Sequence, residues 1–116
     1  MHEMSIMMEV IRIVDDMAER NDIKRVQEIV LDVGELSGVV PEYMTEYFPI
    51  IVAELPLYQG TKLKMITIPG RTICENCGAG FNVIEHEGYC PKCGSFDKTV
   101  ISGEEFSIRE IVVPAE

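Results

Sequence analysis

The four cysteines of this chain constrain its fold more than any other feature, because they stand in two close pairs: Cys74 with Cys77, and Cys90 with Cys93. Two residues separate the members of each pair, and twelve residues separate the pairs. Each pair can fold its backbone around one metal ion, and two pairs complete a tetrahedron of thiolates. In a chain of 116 residues, this spacing predicts a small metal-stapled lobe attached to one modest domain.

The two pairs have matching surroundings, which favours one shared metal. A glycine follows the second cysteine of each pair, Gly78 and Gly94, where a positive φ turns backbone N–H groups toward sulfur. We expect Phe81 and Phe96 to shield the site from water. Four thiolates leave no open position for a substrate, which predicts structural zinc, although iron accepts the same ligands. His86, between the pairs, is either an alternative ligand or a solvated loop side chain.

Apolar spacing outside the cysteine segment predicts two helices and three strands. The first helix is amphipathic, and the second has a broad apolar face interrupted by Pro49, where we expect a kink or a break. The strands alternate apolar and polar residues or form short apolar runs between turn residues. The predicted elements are a helix over 4–20, a strand over 26–33, a helix from 41 to about 55, and strands over 62–68 and 104–113.

This order of elements indicates how the two parts of the chain are connected. Two strands seldom form a stable sheet alone, and the third strand follows the cysteine segment. We therefore predict an α+β fold in which two helices pack on a small mixed three-stranded sheet, with a zinc-ribbon-like lobe inserted before the last strand. The predicted boundaries are 1–69 and 103–116 for the domain, and 70–102 for the zinc-binding lobe.

Charge limits the partners that this chain is expected to bind. The net charge is −10, and residues 71–98 carry three basic against four acidic side chains. Without a basic stripe there is no electrostatic footprint for phosphate, so we expect no nucleic-acid partner and no membrane partner. No apolar run reaches the length of a membrane span, and the first residues lack signal-peptide character, which predicts a cytoplasmic protein.

The first three residues, Met1, His2 and Glu3, offer a second set of metal ligands. The α-amine of Met1, the backbone nitrogen of His2 and its imidazole can close fused chelate rings on one ion. The fourth ligand is either the backbone nitrogen of Glu3 or its carboxylate. A nitrogen-rich, planar donor set suits Ni(II) or Cu(II) better than Zn(II). Such a site would be mobile and pH-dependent, as delivery requires.

The combination of the Met1–Ile6 start, the Val33–Ser37 turn and the late paired cysteines resembles the HypA/HybF family of nickel metallochaperones. The resemblance covers essentially the whole chain, and the first six residues are its most specific part. It implies an α/β nickel-binding domain with an inserted zinc lobe. It also implies that Met1, His2 and Glu3 bind nickel for delivery during maturation of nickel–iron hydrogenase.

The resemblance further implies partners. These are a HypB-type GTPase, the hydrogenase large-subunit precursor and, in some organisms, urease maturation proteins. The sequence leaves open whether the chain is a monomer or a homodimer. We expect no enzyme activity, because no nucleophile–base set is present. Two other functions stay open: a rubredoxin-like redox carrier, and a zinc-ribbon adaptor that binds other proteins.

Overall fold

A computed structural model describes residues 2–115; Met1, part of the predicted nickel site, lies outside the described residues. The elements in chain order are α1 (Glu3–Arg20), β1 (Glu28–Gly34), α2 (Pro41–Val52), a 3-10 turn (Pro56–Tyr58), β2 (Lys62–Ile68), β3 (Arg71–Cys74), β4 (Gly80–Asn82), β5 (Lys98–Val100) and β6 (Phe106–Val112). Among these, neither α-helix has the combination of length and apolar character that crossing a bilayer requires.

Helix α1 forms because one face of its sequence is apolar at helical spacing. Met7, Val10, Ile11, Val14 and Ala18 are all buried on that face. The helix ends as predicted at Arg20, where the side-chain amide of Asn21 donates to the carbonyl of Met17 at 2.8 Å. It begins at Glu3, one residue before the predicted start.

Helix α2 begins at Pro41, a position that suits proline because the first helical N–H has no partner within the helix. A kink or a break was predicted at Pro49; the helix continues past this residue, which excludes the break, and it ends at Val52 rather than near residue 55. Met44, Phe48 and Val52 form its buried face. Pro49 has no N–H to donate to the carbonyl of Thr45 four residues earlier, so the helix lacks that one backbone bond.

The main sheet has the order β2-β1-β6, with β1 parallel to β2 and antiparallel to β6. The predicted mixed three-stranded sheet is therefore confirmed. Ile29, Leu31 and Val33 of the central strand belong to the core beneath the helices. Strand β1 begins at Glu28, two residues after the predicted start at residue 26. The N–H groups of Val26 and Gln27 donate to the carbonyls of Leu57 and Val112, just before the strand begins.

The cysteine segment folds around a second small sheet of order β4-β3-β5, with both pairings antiparallel. All three of its strands lie within the predicted lobe. The chain enters this sheet through Pro69 and Gly70 and leaves it through Ser102 and Gly103. The final strand, β6, starts at Phe106 rather than at the predicted residue 104. The predicted α+β architecture with an inserted lobe is confirmed.

Candidate metal centre

The four cysteine thiols converge at one point of the inserted lobe. All four sulfur atoms lie within 4.8 Å of one another, and no other group of three or more His, Cys, Asp or Glu ligand atoms within residues 2–115 meets in this way. The sulfur atoms of Cys74 and Cys93 are 3.6 Å apart, as are those of Cys77 and Cys90. A tetrahedral ion with metal–sulfur bonds of about 2.3 Å requires sulfur separations of about 3.8 Å. The donor set therefore fits a tetrahedral metal of zinc size.

Two near-identical turns produce this convergence. The N–H of Gly78 donates to the carbonyl of Cys74 at 2.8 Å, and the N–H of Gly94 donates to that of Cys90 at the same distance. Both glycines adopt the expected positive φ, 77° and 78°. Because an L side chain is strained in this region, glycine lets the turn close without cost. The following N–H groups, of Ala79 and Ser95, then reach the Sγ atoms of Cys77 and Cys93.

The thiols differ in how readily they release a proton. The side-chain amide of Asn76, 3.5 Å from Cys93 Sγ, and the N–H of Ser95 lower the pKa of Cys93 to about 6. At Cys77 the N–H of Ala79 lowers the pKa, but burial and hydrogen bonds with the other thiols raise it more, to about 11. The protein alone therefore favours negative charge at Cys93 and opposes it at Cys77. A bound dication would supply the charge that lets all four ionise.

The shielding of the centre differs from the prediction in one respect. Phe81 is buried and packs against Cys74 and Cys90, as expected. Phe96 is 58% exposed and its ring lies tilted against that of Tyr89, with centroids 5.1 Å apart, so its predicted shielding role is wrong. His86 is exposed, lies edge-on to the Phe81 ring, and is not among the converging ligands.

Of the three amino-terminal residues predicted to bind nickel, the structure describes His2 and Glu3, and their side chains differ in exposure. His2 is exposed, precedes α1 as its N-cap residue, and makes no side-chain capping bond. Glu3 is only 6% exposed, and its carboxylate Oε2 accepts the N–H of Val40 at 3.1 Å. That bond lowers the pKa of Glu3 against the opposing effect of burial. The backbone N–H of Glu3 also bonds to this carboxylate and lowers its pKa further.

The junction between the domain and the lobe is held by a residue of the predicted turn after β1. The carboxylate of Glu35 accepts the N–H of Gly70 at 2.8 Å and the side-chain amide of Asn82 at 2.9 Å. Asn82 belongs to β4 of the lobe, so one carboxylate connects both parts of the molecule. The bond from Asn82, and to a smaller extent the bond from Gly70, lowers the pKa of Glu35. Sequence reasoning recognised the turn but not this contact, which joins residues 47 positions apart.

Three glycines let the backbone pass closely at this junction. A Cβ on Gly34 would lie 2.0 Å from the Gly103 carbonyl oxygen, and one on Gly103 would lie 2.6 Å from the Gly70 Cα. Gly103 also has a φ of +105°. The hydroxyl of Ser102 donates to the Pro69 carbonyl at 2.9 Å, so the entering and leaving segments lie side by side.

A closed four-thiolate centre in a small inserted sheet, carried by an α+β domain, defines a metal-binding protein of two connected lobes. The sequence profile of the family described as "Hydrogenase/urease nickel incorporation, metallochaperone, hypA" matches residues 1–113. The chain therefore belongs to the HypA family, and the resemblance noted in the sequence is confirmed.

Individual relatives agree with this assignment. A protein of Geobacter sulfurreducens named hydrogenase maturation factor HypA is 40% identical over 113 residues, covering 97% of this chain and 99% of its own. One of the same name from Chlorobium luteolum is 37% identical over 117 residues, covering 100% of this chain and 98% of its own. The solution structure of the nickel metallochaperone HypA from Helicobacter pylori covers both chains completely, with a TM-score of 0.67 at 22% identity. It supports the fold.

Proposed function

We propose that this protein carries Ni(II) at its amino terminus and delivers it during maturation of nickel–iron hydrogenase. The observation that supports this proposal most strongly is the match of the nickel-incorporation family to residues 1–113, which includes the Met1-His2-Glu3 segment. The rubredoxin-like carrier and the zinc-ribbon adaptor have no comparable support. Because the family is described as a metallochaperone, the cargo is exchanged between ligands and no substrate bond is made.

The placement of His2 suits a delivery site. Its side chain is exposed and makes no hydrogen bond within the described part of the chain, so it can reach an ion that a partner presents. Ligand exchange requires that the donors leave one at a time, and a terminal segment with few anchors permits this. Metal entry displaces protons from these nitrogens, so nickel affinity should fall as the pH falls.

The metal of the four-thiolate centre is proposed to be zinc with a structural role, held by Cys74, Cys77, Cys90 and Cys93. The distances among the sulfurs suit tetrahedral zinc, and no ligand position remains for a substrate. Iron in the same centre would make the native protein red, whereas a zinc protein is colourless. Colour and metal content of the native protein therefore separate zinc from a rubredoxin-like centre.

We propose that the Glu35 carboxylate couples the orientation of the lobe relative to the domain to the metal content of the thiolate centre. The Glu35 carboxylate accepts the N–H of Gly70, where the chain passes from the domain into the lobe, and the side-chain amide of Asn82 in β4. Strand β4 also contains Phe81, which packs against Cys74 and Cys90. Loss of the metal should loosen β4 and release Asn82 from Glu35. The lobe orientation would then depend on whether the thiolate centre is filled.

The proposed partners are those of hydrogenase maturation: a HypB-type GTPase and the hydrogenase large-subunit precursor, with urease maturation proteins in some organisms. The net charge of −10 opposes nucleic acid and anionic membrane surfaces as partners. The proposed location is the cytoplasm, where four thiols stay reduced and ready for metal. The proposed oligomeric state is a monomer or a homodimer.

Nickel titration of four proteins tests this function. They are the untagged wild type, His2→Ala, a version with residues added before Met1, and His86→Ala. The chain has two histidines, so His86→Ala is a matched control for loss of an imidazole. We expect about one nickel per chain in the wild type and in His86→Ala, and none in the other two. Equal binding by all four proteins would refute the terminal site.

A further inference from the structure

Helix α2 begins without the acceptor that its own sequence would normally supply. In a capping box, a Glu or Gln at the third helical position accepts the backbone N–H of the N-cap residue. The N-cap of α2 is Val40, and the third helical position is Tyr43, which has no acceptor of that reach. No side-chain capping bond is made within α2. Any protein acceptor for the Val40 N–H must therefore come from outside α2.

Glu3 supplies that acceptor from α1. Its carboxylate oxygen lies 3.1 Å from the Val40 nitrogen, although the two residues are 37 positions apart. A carboxylate here also faces the positive ends of two helices, since Glu3 is the first residue of α1 and Val40 precedes the first residue of α2. Its burial, with 6% of the residue exposed, shows that this carboxylate points into the fold and away from solvent.

We propose that the Glu3 carboxylate is a positioning group that completes the start of α2 from outside the helix, and that it is not a nickel ligand. In this role it holds the first turn of α1, which follows His2, beside the start of α2. This inference rests on the proposed nickel site for its functional part, and on the Val40 contact alone for its structural part.

Two substitutions separate positioning from ligation. Glu3→Gln keeps an oxygen that accepts the Val40 N–H but is a poor metal ligand, whereas Glu3→Ala removes both properties. Glu9→Gln is the matched control, because Glu9 lies on the same helix, is exposed and pairs only with Arg12. Each protein is purified untagged with its thiolate centre loaded.

The first readout is the amide signal of Val40 in a nitrogen–proton correlation spectrum without nickel. We expect Glu3→Ala to move it upfield as its hydrogen bond is lost, and Glu3→Gln and Glu9→Gln to leave it near its wild-type position. An unmoved Val40 signal in Glu3→Ala would overturn the proposal whether or not the protein binds nickel.

The second readout is the visible absorption of bound Ni(II), which reports its ligands, together with the affinity. We expect an unchanged spectrum in both variants, and about tenfold weaker binding in Glu3→Ala only, because fewer molecules hold the terminal segment in place. A changed spectrum in Glu3→Gln would make the carboxylate a ligand and overturn the proposal. If the wild type binds no nickel, the proposed function fails, and the Val40 signal still decides whether Glu3 completes α2.

Discussion

Substitution of Gly34 by alanine tests the close passage of the chain at the lobe junction. The added Cβ would lie 2.0 Å from the Gly103 carbonyl oxygen and 2.8 Å from that of Glu105. Both neighbours are backbone atoms, so no flexible side chain can move aside. Relief requires the segment that leads into β6 to shift by about 1 Å or more.

The cost follows from what that shift disturbs. The Gly34 N–H donates to the Glu105 carbonyl at 2.8 Å, and the Leu36 N–H donates to the Gly103 carbonyl at 2.7 Å. Overpacking costs about 1–3 kcal/mol, and each weakened hydrogen bond costs about 0.5–1.5 kcal/mol. Alanine restricts the unfolded chain and returns about 0.4–1 kcal/mol. We therefore expect the free energy of unfolding to fall by about 3 kcal/mol.

Urea denaturation followed by far-ultraviolet circular dichroism measures this change, with zinc and reductant held constant. A loss of 3 kcal/mol should lower the urea midpoint by about 1–3 M. Gly80→Ala is the matched control, because the nearest atom to its Cβ would be 3.9 Å away, an ordinary contact. We expect that control to stay within about 1 kcal/mol of the wild type. Equal stability of the Gly34 and Gly80 variants would refute the close passage.

Three further outcomes are expected. Tyr58→Phe should lose about 1–2 kcal/mol of stability in thermal unfolding, because the Tyr58 hydroxyl donates to Asp15 at 2.6 Å from a buried ring, and an unchanged Tm would contradict this. Burial and Asp15 raise the pKa of Tyr58 above its ordinary value of 10.0. The stability of the wild type should therefore fall above pH 10 more steeply than that of Tyr58→Phe. Parallel profiles of stability against pH would contradict this raised pKa. Metal removal by a chelator should increase amide exchange in β3–β5 more than in β1, and it should move the Asn82 side-chain amide signal as that group leaves Glu35. A signal that stays in place would refute the coupling.

Much of the fold could be predicted because its determinants are local. The helical spacing of apolar residues correctly predicted the end of α1 at Arg20. Strand β2 likewise has the predicted bounds, 62–68. The cysteine pairs predicted their own convergence, since the turn around a metal is encoded within five residues of each pair. Glycine after the second cysteine was informative for the same reason.

The contacts that the sequence did not predict all join distant residues. Glu3 was predicted as a ligand, and its burial against Val40 depends on how α1 lies beside α2. A signal was present nonetheless, because Val40 and Tyr43 leave α2 without a capping box. The exposure of Phe96 was missed since an aromatic residue near a metal site has no periodicity that fixes the direction of its side chain.

The order of strands in the main sheet has a consequence for biosynthesis. The central strand β1 pairs with β6, and the partners Val33 and Phe106 are about 70 residues apart in the chain. Metal binding joins Cys74 to Cys93 and shortens the connecting loop by about a quarter, which lowers its entropic cost by only about 0.3 kcal/mol. Two strands alone are marginal, so the sheet awaits the last strand to leave the ribosome. The segment proposed to bind nickel thus precedes α1 of a domain whose sheet is complete only when β6 has joined it.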